Sequence, residues 1–490
     1  MIKLLLLVTL FGACGEESEQ EMEDIGKTIY AESIQLTAQD LVTDTQRQIT
    51  VAFQPVNTTD QSVSWAVSDE AIAEISSTGL LTAKANGSVT VTATANDKGM
   101  VTGQVILNIT SVLPSAHNDI DVSTVDELKS ALNVAEAGDV IVLEGGTYTM
   151  TERIVLNTSG TAAEFIVVMA ASTTATERPV LDFSNLSEGP SNQGIQLKGD
   201  YWHFKGIDIR KAGDNGMQVK GSNNIIEFCS FYENSDTGLQ LDEGAADNLI
   251  LNCDSYFNAD SKVENADGFA AKLTVGSGNK FVGCRAWQNL DDGWDGYLRD
   301  NDNVKTTYEN CWAVKNGFLK SGTEGGGDGN GFKTGGSDGK DLTHNAVYKN
   351  CIAAGNVNDG FDHNSNRGTV TLHNCGAYDN GTNYNFSSTN PLSYLEVKNS
   401  VAVGTVGSLN ASTKDLSHNS WQSPLSGTAD DFKRLDIDLL LGDRNADGSL
   451  PAVDFMKLKA ESDLIDAGVD VGLPFEGTAP DVGPFEQVNE

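Results

Sequence analysis

Six cysteines in the 490-residue chain keep one phase: each is followed five residues later by asparagine. The pairs are Cys229–Asn234, Cys253–Asn258, Cys284–Asn289, Cys311–Asn316, Cys351–Asn356 and Cys375–Asn380. Their flanks repeat as well, as in NNIIEFCSFYEN, GNKFVGCRAWQN and TVTLHNCGAYDN. The period runs from 24 to 40 residues while the phase holds, the mark of stacked coils joined by loops of unequal length. A second mark accompanies it, a glycine followed by a large apolar residue: Gly216-Met217, Gly238-Leu239, Gly268-Phe269, Gly293-Trp294, Gly331-Phe332 and Gly360-Phe361. Between these marks the chain reads as short alternating strands separated by Asn, Asp, Gly and Ser turns, with no helical periodicity. The expected fold is all-β, a right-handed parallel β-helix in which each coil stacks on the next. A propeller of roughly 40-residue blades would carry a per-blade signature that is missing here.

Parity then assigns faces. The apolar residue after each glycine points into the core, so the residue two after each glycine points out. That outward column is Gln218, Gln240, Ala270, Asp295, Lys333 and Asp362. The residues before the glycines form another column: Asn215, Thr237, Asp267, Asp292, Asn330 and Asp359. Neighbours in a column lie about 4.8 Å apart. The asparagines after the cysteines are expected to form an internal amide ladder that satisfies buried backbone groups. The cysteines share one inward phase and are expected to be free buried thiols.

The ends differ from the repeats. Residues 1–13 with Cys14, MIKLLLLVTLFGAC, carry one lysine, a short apolar run and small residues; they resemble a bacterial lipoprotein signal, with Cys14 the lipidated residue. The run is too short to span a bilayer, so membrane association is expected only through the lipid. Residues 14–27 read as an acidic disordered tether, similar to those of surface-exposed lipoproteins. Residues 28–110 alternate Val, Thr, Ile and Ala with short turns. Through Trp65, the Gly79-Leu80-Leu81 turn and the strand from Gly87 to Thr94, they resemble bacterial immunoglobulin-like domains of group 2. Residues 111–122 read as a linker. Residues 123–425 are the solenoid, opened by a short helix that Thr124 and Glu127 cap and that covers the first coil. Residues 426–490 are expected to cap its C-terminal end, with DRNADGS an oxygen-rich turn open to a structural calcium. The expected protein is exported and monomeric. With 32 basic against 69 acidic residues, a net charge of −37, nucleic acid is excluded as a partner.

Four carboxylates converge within two coils. Asp267 and Asp292 hold the position before the glycine, Asp291 adjoins Asp292, and Asp295 holds the outward position. Like charges on adjacent strands destabilise a sheet, so this group calls for a cation. Hard oxygen ligands suit calcium, which takes 6–8 oxygens at about 2.3–2.6 Å. Lys333 follows Asp295 one coil later. Spacing leaves two readings of it open: a bound cation would lower its pKa and free a basic amine, whereas a salt bridge to Asp295 would raise it.

ADGFAAK, LDDGWDGY and DGNGFKTGG resemble the catalytic region of polysaccharide lyase family 9, the pectate lyases. That resemblance covers roughly residues 120–425. It implies a calcium held by Asp267, Asp291, Asp292 and Asp295, with Lys333 as the Brønsted base. The implied reaction is β-elimination on polygalacturonate (pectin), leaving a 4,5-unsaturated sugar. Lys272, Lys220 and Arg299 lie on the same coils and are candidates to grip further substrate carboxylates. Two other readings remain. One is a glycoside hydrolase using Asp291, Asp292 or Asp295 as acid and base, although the usual Gly-His-Gly and Arg-Ile-Lys signatures are missing. The other is a surface adhesin whose calcium is only structural. Asp359, Asp362 and His363 form a further polar group, read as surface structure.

Overall fold

The glycine and asparagine marks prove to be one device. In the computed structural model, which describes residues 28–487 apart from 115, 116 and 175, each ladder asparagine lies against a glycine of the preceding coil. A Cβ on Gly293 would stand 2.7 Å from the Asn316 amide nitrogen and 2.5 Å from the Gly331 carbonyl oxygen. No side chain fits there, so the glycines are required by close approach. The space they leave admits an unbroken ladder. Asn234 donates to Asn258 at 2.9 Å, Asn258 to Asn289 at 2.8 Å, Asn289 to Asn316 at 3.0 Å, Asn316 to Asn356 at 3.0 Å and Asn356 to Asn380 at 2.8 Å. A shorter ladder, Asn224–Asn248–Asn279, turns a second corner. It holds the phase five residues before the cysteine in three coils, a signal present in the sequence.

Three parallel sheets of twelve, ten and nine strands form the solenoid walls. The apolar residues after the glycines stack in one column. Phe269, Trp294, Phe332, Phe361 and Tyr384 follow one another with ring centroids 4.8–5.1 Å apart and planes within 24°. Beside them Phe281, Tyr308 and Tyr348 form a second stack. The six cysteines are free and buried in the same core, and their thiols donate to backbone carbonyls, as Cys284 does to Ile250 at 3.3 Å. Helix α1 (Val125–Val134) covers the first coil with Leu128, Ala131 and Leu132. Its capping box is complete: Glu127 N–H donates to Thr124 Oγ1 at 3.2 Å, and Thr124 N–H to Glu127 Oε2 at 3.0 Å.

Two boundaries differ from the sequence reading. The solenoid begins inside the expected linker, where Asn118–Val122 pairs in parallel with Asp139–Leu143. Only Ile120 and Val122 turn apolar groups to the core there, too short an alternation to stand out. The C-terminal segment does not close the last coil; it runs back along the outer face of the ten-stranded sheet. Phe432, Leu440, Phe455, Met456 and Leu464 bury against Trp312, Val314, Ile352 and Val401. A buried ion cluster fixes it, in which Asp254 is held by Arg285 at 2.8 Å and Arg444 at 2.6 Å. Arg444 of the DRNADGS turn is thus engaged by Asp254, and Asp447 accepts from the Ser449 N–H at 3.0 Å. Among the described residues no group of three metal-ligating side chains forms at that turn.

The N-terminal unit is a small antiparallel β-domain with its own core of Leu36, Leu41, Phe53, Leu81, Val91 and Ile109. Trp65 packs over the left-handed Gly79, where a Cβ would come within 2.7 Å of the indole. Val42 joins Phe165, Val167, Ile225 and Leu249 on the outer face of the twelve-stranded sheet, and Lys205 Nζ donates to the Val42 carbonyl at 2.7 Å. The signal, Cys14 and the tether lie outside the described residues.

The ladder yields a direct expectation. Replacing Asn289 with Ala leaves the Asn258 amide without its acceptor in a site closed to water. Asn289→Ala should lower stability by about 1–3 kcal/mol, read as an earlier thermal or denaturant midpoint. An unchanged midpoint would mean the ladder contributes nothing beyond packing.

Candidate active site

The nine-stranded sheet carries the charged column. Gln196, Gln218, Gln240, Ala270, Asp295, Lys333, Asp362 and Asn385 are consecutive register partners. The residues before the glycines stack beside it, because Gly268 N–H donates to the Asp292 carbonyl at 2.9 Å and Gly293 N–H to the Asn330 carbonyl at 2.8 Å. A rigid ladder therefore aligns side chains from turns up to 38 residues apart, as Asp292 and Asn330 are.

Asp267, Asp291 and Asp292 bring one carboxylate oxygen each within 4.8 Å of one another. Asp267 is 1% exposed and Asp292 fully buried, with Asp291 half-buried. Backbone N–H groups orient them: Asp292 donates to Asp267 Oδ1 at 3.2 Å, Asn330 to Asp292 Oδ1 at 2.8 Å, and Asp328 to Asp291 Oδ1. Asp292 Oδ2 accepts no hydrogen bond, although the Lys333 ammonium lies 3.1 Å away. Burial pushes all three carboxyls up. Asp291 reaches about 7, through desolvation first and the charge of Asp267 next. Asp267 and Asp292 rise for the same leading reason, Asp292 by much more. Three stacked oxygens that resist ionisation, one of them without a hydrogen-bond donor, match the hard-oxygen donor set of a divalent cation. They fit a hydrolytic pair less well, since such carboxyls stand about 5–5.5 Å or about 6.5–9.5 Å apart.

Asp295 is placed differently. It is 7% exposed and lies 3.5 Å from Lys272 and 4.0 Å from Lys333, outside the three-carboxylate group. Desolvation alone would raise its pKa, but Lys333 and Lys272 outweigh it and the carboxyl is lowered. Lys333 meets Asp292 at 3.1 Å and Asp328 at 2.9 Å. Desolvation opposes its charge, yet Asp292, Asp295, Asp291 and Asp328 together drive its pKa up. Spacing left a salt bridge to Asp295 as one reading; the closer partners of Lys333 are Asp328 and Asp292, with Asp295 at 4.0 Å. Asp328 escapes sequence reasoning because it belongs to the insert loop and to neither column; only its place inside DGNGFK brings it near.

The other cations are engaged locally. Lys272 is mostly buried and pairs with Asp267 at 2.7 Å. Lys220 pairs with Glu243 at 2.5 Å. Arg299 is exposed and stands 3.7 Å from Asp338. His363 lies 3.9 Å from Asp362, and Asp359 accepts from the Asn385 amide at 2.8 Å. The glutamine row runs on from the charged group, with Gln196 donating to Gln218 at 3.1 Å.

Comparison with known proteins gives a consistent picture. The family model described as Pel9A-like, right handed beta helix region, matches residues 112–400, and that of the bacterial Ig-like domain (group 2) matches residues 31–105. Pectate lyase L of Dickeya dadantii (strain 3937) is 36% identical over 386 residues, 76% of this chain and 88% of that protein. Pectate lyase L of Paenibacillus polymyxa (strain SC2) is 37% identical over 371 residues, 70% of this chain and 80% of that protein. The crystal structure of pectate lyase Pel9A superposes with a TM-score of 0.68 at 35% identity, covering 77% of this chain and 98% of that one.

A carboxyl lifted from 3.8 to about 7 in the folded protein holds a proton that the unfolded chain has released, so its contribution to stability is lost as pH rises from about 4 to about 7. With a chelator present, the melting temperature should fall across that window. Asp291→Asn should flatten the fall and raise the melting temperature at pH 8, where calcium should stabilise the wild-type protein. A slope unchanged by Asp291→Asn would assign the dependence to other groups.

Proposed function

The chain belongs to the Pel9A-like right-handed β-helix family and is a polysaccharide lyase, and on that premise we propose that it cleaves polygalacturonate by calcium-dependent β-elimination with Lys333 as the base. One observation carries the reading: an ammonium stands 3.1 Å from Asp292, beside a group of two buried carboxylates and one half-buried whose oxygens lie within 4.8 Å of one another. Asp267, Asp291 and Asp292 would hold the ion, with Asp295 the fourth ligand, shared with Lys272 and Lys333. When bound, the ion supplies positive charge to the uronate carboxylate and to the enolate-like charge that develops beside it.

Lys333 takes the C5 proton as its neutral amine. The electrons of the C5–H bond form the 4,5 double bond, and the C4 glycosidic oxygen departs with the C4–O bond pair and takes a proton from water. Three of the carboxylates that raise the pKa of Lys333, Asp292, Asp295 and Asp291, are ones that would hold the ion; the fourth, Asp328, is not. Were those three committed to an ion, the field holding the ammonium would weaken. Lys272, paired with Asp267 and Asp295, favours the ionised form of both, enough to lower Asp295 but not to overcome the burial of Asp267. The acidic chain thus meets an acidic polymer through a local reversal of charge. Lys220 and Arg299 remain candidates for outer substrate carboxylates, each having to exchange Glu243 or Asp338 for a uronate. The same reading places the protein outside the cytoplasm as a monomer, anchored through a lipid on Cys14. No helix among the described residues is long and apolar enough to cross a membrane.

Ultraviolet absorbance of unsaturated product from polygalacturonate tests the proposal. Absorbance should require calcium and disappear with chelator. Lys333→Ala should lower kcat about 10²–10⁴-fold while calcium binding persists. New reducing ends without absorbance would mean hydrolysis, and calcium binding without cleavage would leave the adhesin reading.

A further inference from the structure

The two columns that build the carboxylate group continue toward the start of the solenoid. Asp214-Asn215 and Asp236-Thr237 occupy the positions that Asp291-Asp292 occupies further along. Their alignment is fixed by Gly216 N–H to the Thr237 carbonyl at 3.1 Å and Gly238 N–H to the Asp267 carbonyl at 3.0 Å. Both Asp214 and Asp236 are half-buried, and among the described residues neither has an ion-pair partner. The Lys272 ammonium, which feels the charge of Asp236, meets Thr237 Oγ1 at 3.5 Å and is held by Asp267 at 2.7 Å. The two carboxyl groups face each other one coil apart, hydrogen-bonded to one another with the charge of Lys272 acting on Asp236; both ionised, they would oppose folding. Burial and then the charge of Asp236 push Asp214 up to about 7.

A second observation points to a ligand. Asn215 is 3% exposed, and its Oδ1 accepts no hydrogen bond. At three positions further along the same column this atom is satisfied by the next coil: Asp267 Oδ1 accepts from Asp292 N–H, Asp292 Oδ1 from Asn330 N–H, and Asn330 Oδ1 from Asp359 N–H. At Asn215 the corresponding donor, Thr237 N–H, turns to Asp236 Oδ1 at 2.7 Å instead. The Asn215 oxygen, in the register position whose counterparts meet the next coil, is left with nothing to accept. A buried acceptor without a donor is destabilising, unless a cation meets it. The surroundings are ordered: Gln193 Nε2 donates to Asp214 Oδ2 at 2.5 Å, and Ser261 ties its loop to Glu188 through two bonds of 3.0 Å.

We propose that Asp214, Asp236 and Asn215 form a second divalent-cation site, oxygen-lined and suited to calcium, on the same edge of the solenoid as the first. Two carboxylates and an amide oxygen are hard ligands, and water completes such a shell. The two sites are independent in their ligands, so this inference stands apart from the assignment of the lyase centre.

Calcium alone is the probe, titrated calorimetrically into the chelator-treated full chain at pH 8. Asp214→Asn/Asp236→Asn should bind one equivalent fewer than wild type, and Asp291→Asn/Asp292→Asn should lose a different equivalent. Unchanged stoichiometry in the first variant would overturn the second site and identify Asp214 and Asp236 as a pair sharing a proton. Unchanged stoichiometry in the other variant would count only against the first centre. Should the first variant misfold, wild-type crystals soaked in terbium decide: an anomalous peak between Asp214 and Asp236 supports the site, and its absence when the first centre is filled overturns it.

Discussion

The coil-to-coil register is the constraint on which everything else rests, and it is set by a fit between glycine and asparagine. The ladder needs each amide to approach the neighbouring backbone more closely than any Cβ permits, as at Gly293 and Asn316. Once that approach is made, neither sheet nor turn can slip by one residue without breaking buried amide bonds and inverting the faces. The aromatic stack from Phe269 to Tyr384 then follows from the register, because the residue after each glycine has one place to go. A variable loop can enlarge a coil without shifting it. The segment from Gly317 to Gly329 does so, yet returns Lys333 in register with Asp295.

Rigid register makes an otherwise unfavourable charge arrangement tolerable. Asp267, Asp291 and Asp292 could relax apart in a flexible turn; here the backbone N–H groups of Asp292, Asn330 and Asp328 hold them together. Lys272 and Lys333 flank the group on opposite coils and both meet Asp295. That carboxyl is consequently the one of the four whose pKa falls. Strain of this kind is a sign of function when the surrounding fold over-determines it, and here the ladder beneath does so.

Much of this was legible in the chain because its periodicity is short and its marks are chemical. Parity placed Asp295 and Lys333 as register partners, and the column before the glycines placed Asp267 beside Asp292. What escaped lacks a period. Asp328 reaches Lys333 from an irregular loop. Lys272 stands in a turn whose pairing with Asp267 depends on a bend no alternation encodes. The C-terminal segment is anchored by Phe432, Leu440 and Phe455, apolar residues too far apart to reveal that they cover a sheet rather than close a coil.

The placement of the appended segments decides where chemistry can occur. The three walls of the solenoid present three outer faces. The immunoglobulin-like domain leans on the twelve-stranded face through Val42 and Lys205, and the C-terminal segment covers the ten-stranded face through the Asp254 cluster. The nine-stranded face retains the acidic edge, the two lysines and the glutamine row that extends from them. A linear polymer lying along that face would run parallel to the stacking direction and meet one column residue about every 4.8 Å. The solenoid's own repeat is thus the spacing at which this face presents its side chains, while the appended segments cover the other two faces.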